Sequence, residues 1–182
     1  MLARRAALIL PLLAAACARG PRVHETATFA PPAPLSCVPF ARELSGVRLA
    51  GDAHTWWQAA AGHYARANRP VPGAVLVFRS TRRLPDGHLA VVVRERGPRE
   101  ILASHANWGA GSERGQVHQN QPIVDVSARN DWTLVRVWHP PTDRLGATAF
   151  PTWGFILPPV RRNPEEIAAE VPRAARAAGA SA

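Results

Sequence analysis

The sequence predicts an α+β domain in which N-terminal helices pack on a curved antiparallel sheet of about six strands. Apolar residues recur at helical spacing only in the segment 37–67, and short β-branched runs broken by Gly, Pro and Asp follow it. Because the helices precede the strands instead of alternating with them, we expect an antiparallel sheet. A chain of 182 residues, 47% apolar and 19% charged, is long enough for one such domain with its own core.

The first 34 residues are typical of an export signal followed by a tether. A basic start, an apolar run and a small-residue segment ending at Cys17 predict a secretory signal peptide over residues 1–16. The ending "LAAAC" resembles a lipobox, in which Cys17 would be lipidated, and plain cleavage near Ala16 is the alternative. Residues 17–34 are proline-rich and lack apolar periodicity, so we expect them to form a tether.

The folded domain is predicted over residues 35–158. Its first helix spans about 37–44, with Ser36 as N-cap and Gly46 as the stop, and a second helix follows Asp52. The β-branched runs predict six strands at 74–78, 88–95, 100–108, 122–127, 132–139 and 152–157. Residues 159–182 are rich in Arg and Ala and lack an apolar stripe, so we expect a mobile tail.

The net charge of +9 comes from 22 basic residues, all of them arginine. Such a charge favours polyanions, including the acidic polymers of a bacterial envelope. We expect no nucleic-acid partner, because the sequence has no aromatic-plus-basic motif or zinc-finger spacing and the leader predicts export. The expected location is the periplasmic side of the bacterial envelope, at a membrane if Cys17 carries lipid, and we expect a monomer.

Cys37 has three interpretations: a buried small hydrophobe, half of a disulfide, or a nucleophile at the start of a helix. The unpaired N–H groups and the dipole of a helix N-terminus favour a thiolate there. A disulfide needs Cys17, which lies at the processing site. If Cys17 is lipidated, Cys37 is a lone thiol in an oxidising compartment, which favours a functional role.

A cysteine nucleophile needs a base and a group that orients the base. His88 opens an apolar strand directly after a Gly-containing loop, so its ring can project from the rim of the sheet. His105 and Asn107 alternate along the next strand and can both point towards His88. Either side chain could accept a hydrogen bond from the ring, and we expect Asn107 to matter more than His105.

Four segments in this order resemble the CHAP family of cysteine- and histidine-dependent amidohydrolases and peptidases. They are "SCVPFARELSGVRLAGDAHTWWQAA", "PVPGAVLVFRS", "GHLAVVV" and "ASHANW". The resemblance covers about residues 35–157 and implies a papain-like fold and hydrolysis of amide bonds in bacterial peptidoglycan. It matches Cys37 to the nucleophile and His88 to the general base, whereas the acid usual at the third position is replaced by His105.

The resemblance thus implies an exported cysteine peptidase or amidase whose substrate is peptidoglycan, at its stem peptides or cross-links. The missing acid leaves one alternative: a catalytically inactive lipoprotein of this fold that binds wall peptides or regulates another hydrolase. We assign Trp56 and Trp108 to substrate binding; of the adjacent pair Trp56 and Trp57, one is expected in the core. No metal-ligand spacing is present, and we expect neither a metal nor another cofactor.

Overall fold

The computed structural model of the protein describes residues 26–180. Eight strands, three α-helices and three short 3-10 segments follow each other along these residues. In chain order they are β1 (Ala27–Phe29), α1 (Cys37–Ser45), a 3-10 turn (Ala53–Thr55), α2 (Trp56–Ala59), β2 (Arg66–Ala67), β3 (Val75–Phe78), β4 (His88–Gly97), β5 (Glu100–Ala106), a 3-10 turn (Gly111–Glu113), β6 (Val117–Asp125), β7 (Leu134–His139), a 3-10 turn (Pro140–Thr142), β8 (Arg144–Ile156) and α3 (Pro164–Ala180).

Six strands close into an antiparallel barrel, so the prediction of an open curved sheet carrying the helices is wrong. Each strand from β3 to β8 pairs with the next, and β8 returns to pair with β3. The ring closes because β8 is 13 residues long: its first part pairs with β7 and its last part with β3. The sequence predicts only 152–157 of this strand, because 144–151 contain no continuous apolar run.

Two apolar clusters lie on the two faces of the barrel wall. Along β4, Ala90 and Val92 belong to the inner cluster, whereas Leu89, Val91 and Val93 face the helices. This alternation follows from the period of two in a strand, and it makes β4 apolar on both faces. The outer cluster joins the barrel to α1 and α3, while the inner one fills the barrel.

The two N-terminal helices differ in how well the sequence predicts them. α1 agrees with its prediction, and it ends where Gly46 takes a left-handed φ of 75° and donates its N–H to Arg42 O at 3.1 Å. The second predicted helix is short, since α2 covers only Trp56–Ala59 after a 3-10 turn. Gly62, with a φ of 77°, follows and prevents the helix from continuing.

The expectation of a mobile tail is wrong, because these residues form α3, which packs on α1 and β4. Asn163 and Glu166 form a capping box: the Glu166 N–H donates to Asn163 Oδ1 at 2.8 Å, and the Asn163 N–H donates to Glu166 Oε2 at 3.1 Å. The buried face was missed in the sequence because it is mostly alanine. Its members are Ile167, Ala168, Val171, Ala174, Ala175 and Ala178.

The predicted tether also contains structure. β1 pairs with β6, with Thr28 opposite His118, so the folded part begins before the predicted start at residue 35. The predicted signal peptide and Cys17 lie outside the described residues. Within residues 26–180, no helix is both long and apolar enough to cross a membrane.

Candidate active site

Cys37 is the first residue of α1, as the sequence predicts. Ser36 before it is extended, with a φ of −92° and a ψ of 163°, although its side chain makes no capping hydrogen bond. Phe40, Ala41 and Leu44 bury the inner face of the helix against the barrel and so fix the position of its first turn. Cys37 itself is half-buried and its thiol is free.

Burial raises the pKa of the Cys37 thiol to about 11, against the direction expected from the helix start. The backbone N–H groups of Leu89, Cys37 and Val38 favour the thiolate and oppose this shift, while the Asp86 carboxylate adds to it. The first pair of the β4–β5 ladder is Val91–Ser104, so Leu89 lies before the point where β4 pairs with β5. The backbone of Leu89 contacts the thiol there. The resting thiol is therefore protonated at neutral pH, and the expectation of an ionised sulfur is wrong.

His88 begins β4 directly after a tight turn at Gly87. Gly87 has a φ of 71°, and a Cβ there would lie 2.7 Å from Phe78 O and 2.8 Å from the backbone N of His54. Only glycine fits this close approach. The turn places the His88 ring against Phe78 and Trp108, at centroid distances of 5.5 and 4.9 Å.

The His88 side chain is almost fully buried, with 2% of its surface exposed. Burial lowers its pKa to about 3, and the neighbouring His118 adds to the shift. His88 is therefore a neutral imidazole at pH 7, the form that can accept a proton. Among the described residues, no hydrogen bond joins this ring to the Cys37 thiol.

His105 on β5 is the side chain that meets the His88 ring. Its Nδ1 lies 2.8 Å from His88 Nε2, and both rings are buried. The register explains this contact: continuing the ladder from Val91 opposite Ser104 puts His105 on the diagonal from His88. Since His88 Nε2 is occupied by this bond, Nδ1 is the nitrogen left to take a thiol proton.

Asn107 does not orient His88, which corrects the preference for Asn107 over His105. It is exposed, follows the end of β5 and has a left-handed φ of 61°, so its side chain leaves the face of the strand. Its Oδ1 accepts the Gly115 N–H at 2.9 Å, and Gly115 O accepts the Leu35 N–H at 3.2 Å. Asn107 therefore belongs to a loop that supports the chain just before Cys37.

Of the two tryptophans assigned to substrate binding, Trp108 lines a cleft, whereas Trp56 lies in the core. Trp56 is 0% exposed and packs in the outer cluster, so its assignment to substrate binding is wrong. Trp57 is the more exposed of the pair and stacks on Trp153 at a centroid distance of 6.5 Å. Trp108 covers the His88 and His105 rings, is 8% exposed, and lines a cleft.

That cleft has a volume of about 940 Å³ and runs from Trp108 to the β7–β8 hairpin. Arg83 and Arg144 are its charged lining side chains, and Phe150 forms part of its apolar wall. Trp108 connects this cleft to the His88 ring, and nothing in the composition of the hairpin links it to His88.

His118 and Glu113 lie near His105, a placement that the sequence does not predict. His118 is the register partner of His105, with ring centroids 5.5 Å apart. Its Nε2 lies 3.7 Å from Glu113 Oε2, and its Nδ1 lies 3.1 Å from Thr28 Oγ1. No spacing in the sequence signals this cluster, because it depends on β1, β5 and β6 lying side by side.

Within this cluster, the hydrogen bond between two rings is the one from His88 to His105. Within residues 26–180, no three His, Cys, Asp or Glu side chains are grouped so that they could hold a metal ion. The Cys37 thiol lies beside the backbone of Leu89, at the start of the strand that carries His88, and the neutral His88 ring is hydrogen-bonded by His105. A thiol, an imidazole and a group that holds the imidazole are the components of nucleophilic acyl transfer.

The family model of the CHAP domain matches residues 29–107. The match contains Cys37, His88 and His105 and ends at Asn107, which confirms the family predicted from the sequence. This part of the chain is a CHAP domain, which indicates a function like that of an amidohydrolase or peptidase. No curated protein and no solved structure matches the chain.

Proposed function

We propose that this CHAP-domain protein is an exported cysteine peptidase or amidase that hydrolyses amide bonds of bacterial peptidoglycan. The observation that carries the proposal is the 2.8 Å hydrogen bond from His88 to His105, at the strand end that also lies beside the Cys37 thiol. A base whose second nitrogen is fixed by a buried partner is the arrangement that acyl transfer requires.

The reaction begins from a neutral pair, since burial raises the pKa of Cys37 to about 11 and lowers that of His88 to about 3. Sγ attacks the amide carbonyl carbon as its proton passes to Nδ1 of His88. The tetrahedral oxyanion takes hydrogen bonds from backbone N–H groups at the start of α1, including that of Cys37. His88 then gives the proton to the leaving amine, the C–N bond breaks, and water hydrolyses the thioester.

The cleft beside Trp108 supports a peptide substrate that carries free carboxylates. Arg83 and Arg144 supply positive charge along a groove whose other lining side chains are both polar and apolar. Stem peptides of peptidoglycan have this chemistry, and cleavage there requires export. The proposed leader over residues 1–16 supplies export, and a lipid on Cys17 would hold the enzyme at the membrane.

A second candidate function is favoured by the state of the thiol. With its pKa raised to about 11 and no hydrogen bond to His88, Cys37 also suits a catalytically inactive protein of this family that binds wall peptides. In that case the cleft remains the functional surface, and the cysteine is a half-buried packing residue.

Digestion of purified peptidoglycan tests the enzyme directly. Mass spectrometry of the released fragments should show new amine ends with the wild-type protein and none with Cys37→Ala, while the far-UV circular dichroism of the two proteins stays the same. Turnover retained in Cys37→Ala would assign the chemistry to another group. The fragment masses also identify which amide bond is cut.

Thiol alkylation separates the two candidates without a substrate. If His88 serves as the base, iodoacetamide should modify Cys37 at pH 7 at least about tenfold faster in the wild type than in His88→Asn. If the protein is inactive, the two proteins should react equally slowly, and both rates should rise only as the pH approaches 11.

A further inference from the structure

A second cavity lies beside the turn that leads into His88. It has a volume of about 440 Å³ and shares no lining residue with the cleft at Trp108. The loop between β3 and β4 gives Arg79 to this cavity and Arg83 to the cleft, so the two lie on either side of one loop. The proposed function gives this cavity no role. Its lining residues are His54, Thr55, Gln58, Arg79, Ser80 and Trp153.

His54 connects the cavity to the turn at Gly87. Its backbone N–H donates to Asp86 O at 3.0 Å, and its ring Nδ1 lies 3.2 Å from the same oxygen. A carbonyl oxygen only accepts, so Nδ1 donates and, in the neutral ring, Nε2 is an acceptor. A Cβ on Gly87 would lie 2.8 Å from His54 Cβ. The wall of the cavity that His54 forms therefore touches the residue just before His88.

A stack of arginine and tryptophan side chains forms another wall of the cavity. Arg79 Cζ lies 3.7 Å from the centroid of the Trp153 ring. Trp153 stacks in turn with Trp57, at a centroid distance of 6.5 Å and an angle of 9°, and Arg66 Cζ lies 4.9 Å from the Trp57 centroid. Gly154 leaves room for the Trp57 ring, because a Cβ there would lie 3.2 Å from it. Stacking holds the Arg79 guanidinium over the indole while the N–H groups at its edge stay available.

The Arg79 guanidinium has no anionic partner within residues 26–180. Arg79 is exposed, and among these residues its side chain makes the contact with Trp153 but no hydrogen bond. The Gln58 amide likewise makes no side-chain hydrogen bond there, and the described lining of the cavity includes no acidic residue. The cavity thus offers a cation and an amide donor without an anion of its own. Six other arginines in this part of the chain do pair with carboxylates, namely Arg48, Arg94, Arg96, Arg99, Arg129 and Arg173.

We propose that this cavity binds a free carboxylate of a wall peptide, with Arg79 and Gln58 as its hydrogen-bond donors. A planar carboxylate takes two parallel hydrogen bonds from a guanidinium. A peptide can also donate an N–H to His54 Nε2, an acceptor that a phosphate could not use. The cavity is large enough for more than one small anion, as a peptide requires. This inference rests on the proposed function, and it extends the substrate across the loop before His88.

Peptide binding in a Cys37→Ala background tests the cavity without turnover. With a synthetic stem tetrapeptide that has free carboxylates, Arg79→Gln should raise the Kd about tenfold, because it removes a charge-assisted bidentate contact. With the same peptide amidated at its carboxylates, Arg79→Gln should change the Kd by less than twofold. The matched control is Arg82→Gln, which removes an exposed arginine of the same loop that lines neither the cavity nor the cleft. NMR titration measures each Kd.

Three results would overturn the proposal: no binding of the free-acid peptide, a Kd in Arg79→Gln within twofold of the background, or an equal loss with the amidated peptide. Displacement of the peptide by inorganic phosphate at lower concentration than by acetate would assign the cavity to phosphate instead. If Arg79→Gln alters the far-UV circular dichroism, Gln58→Ala should raise the Kd of the free-acid peptide about threefold. A wild type that hydrolyses no peptidoglycan would refute the proposed enzyme, while these titrations would still decide what the cavity binds.

Discussion

Cys37 is held by the end of a helix and one loop contact, whereas His88, His105 and His118 are held by three neighbouring strands of the barrel. The thiol is half-buried, and its support from the loop is the 3.2 Å hydrogen bond from Leu35 N–H to Gly115 O. The histidine rings are buried, and ladder pairing fixes the strands that carry them. Cys37, the proposed nucleophile, thus has the weaker support of the two.

Burial shifts the pKa values of Cys37 and His88 in opposite directions, and both shifts favour the neutral form of the group. It raises the pKa of the thiol to about 11 and lowers the pKa of His88 to about 3, so both groups are neutral at rest. A preformed thiolate is therefore not what the fold provides. At rest the fold provides a protonated thiol and a neutral imidazole, and in the proposed reaction the charge forms only as the thiol attacks.

The largest expected effect comes from removing the partner of His88. His105→Ala deletes the group that fixes the His88 tautomer, so we expect kcat to fall about 100-fold or more with KM little changed. His105→Asn keeps an amide oxygen that can accept from His88 Nε2 and should recover part of the rate. Steady-state kinetics on a defined stem peptide measure both, with exposed His63→Ala as control. More than a tenth of wild-type kcat in His105→Ala would show that the strands alone position the base.

The next effect concerns stability in acid and tests the histidine side alone. His88 has a pKa of about 3 when folded and about 6.5 when unfolded, so below pH 6.5 the unfolded chain binds the extra proton and stability falls. At pH 5 this costs about 2 kcal/mol for His88 alone, and burial of His105 acts in the same direction.

Urea unfolding at pH 7 and pH 5 measures this loss. The His88→Asn variant should lose about 2 kcal/mol less than the wild type between the two pH values, whereas exposed His63→Asn should behave like the wild type. An equal loss in wild type and His88→Asn would mean that the His88 ring is not buried in its neutral form.

The sequence predicts α1 and most strands because each depends on local features. Gly46 ends the helix, and β4 is a continuous apolar run. The closing of the barrel is not local: it depends on the polar half of β8 pairing with β7. Likewise α3 has an alanine face whose burial is decided by contact with α1, although its Asn163–Glu166 capping box is visible in the sequence.

For the site, the sequence predicts Cys37 and His88, and the choice of partner depends on geometry. His105 and Asn107 share a strand face only if β5 continues through both residues. The strand ends at Ala106, and the left-handed φ of 61° at Asn107 turns its side chain towards the loop. His118 enters the site through register with β5, which no spacing along the chain encodes.

The smallest expected effect comes from Asn107→Ala, which acts on the support of the nucleophile and not on the histidines. Alanine loses the hydrogen bond from Gly115 and tolerates a positive φ less well, so we expect stability to fall by about 1–2 kcal/mol. The strand-held His88–His105 pair is untouched, and kcat should therefore fall by less than about fivefold. Asn107→Gly separates the two causes, because it accepts the backbone conformation but lacks the amide. Urea unfolding and steady-state kinetics on both variants should show a loss mainly of stability. A loss of kcat in Asn107→Ala larger than that in His105→Ala would assign the orienting role to Asn107. Cys37 and its loop would then matter more to the rate than the strand-held histidines.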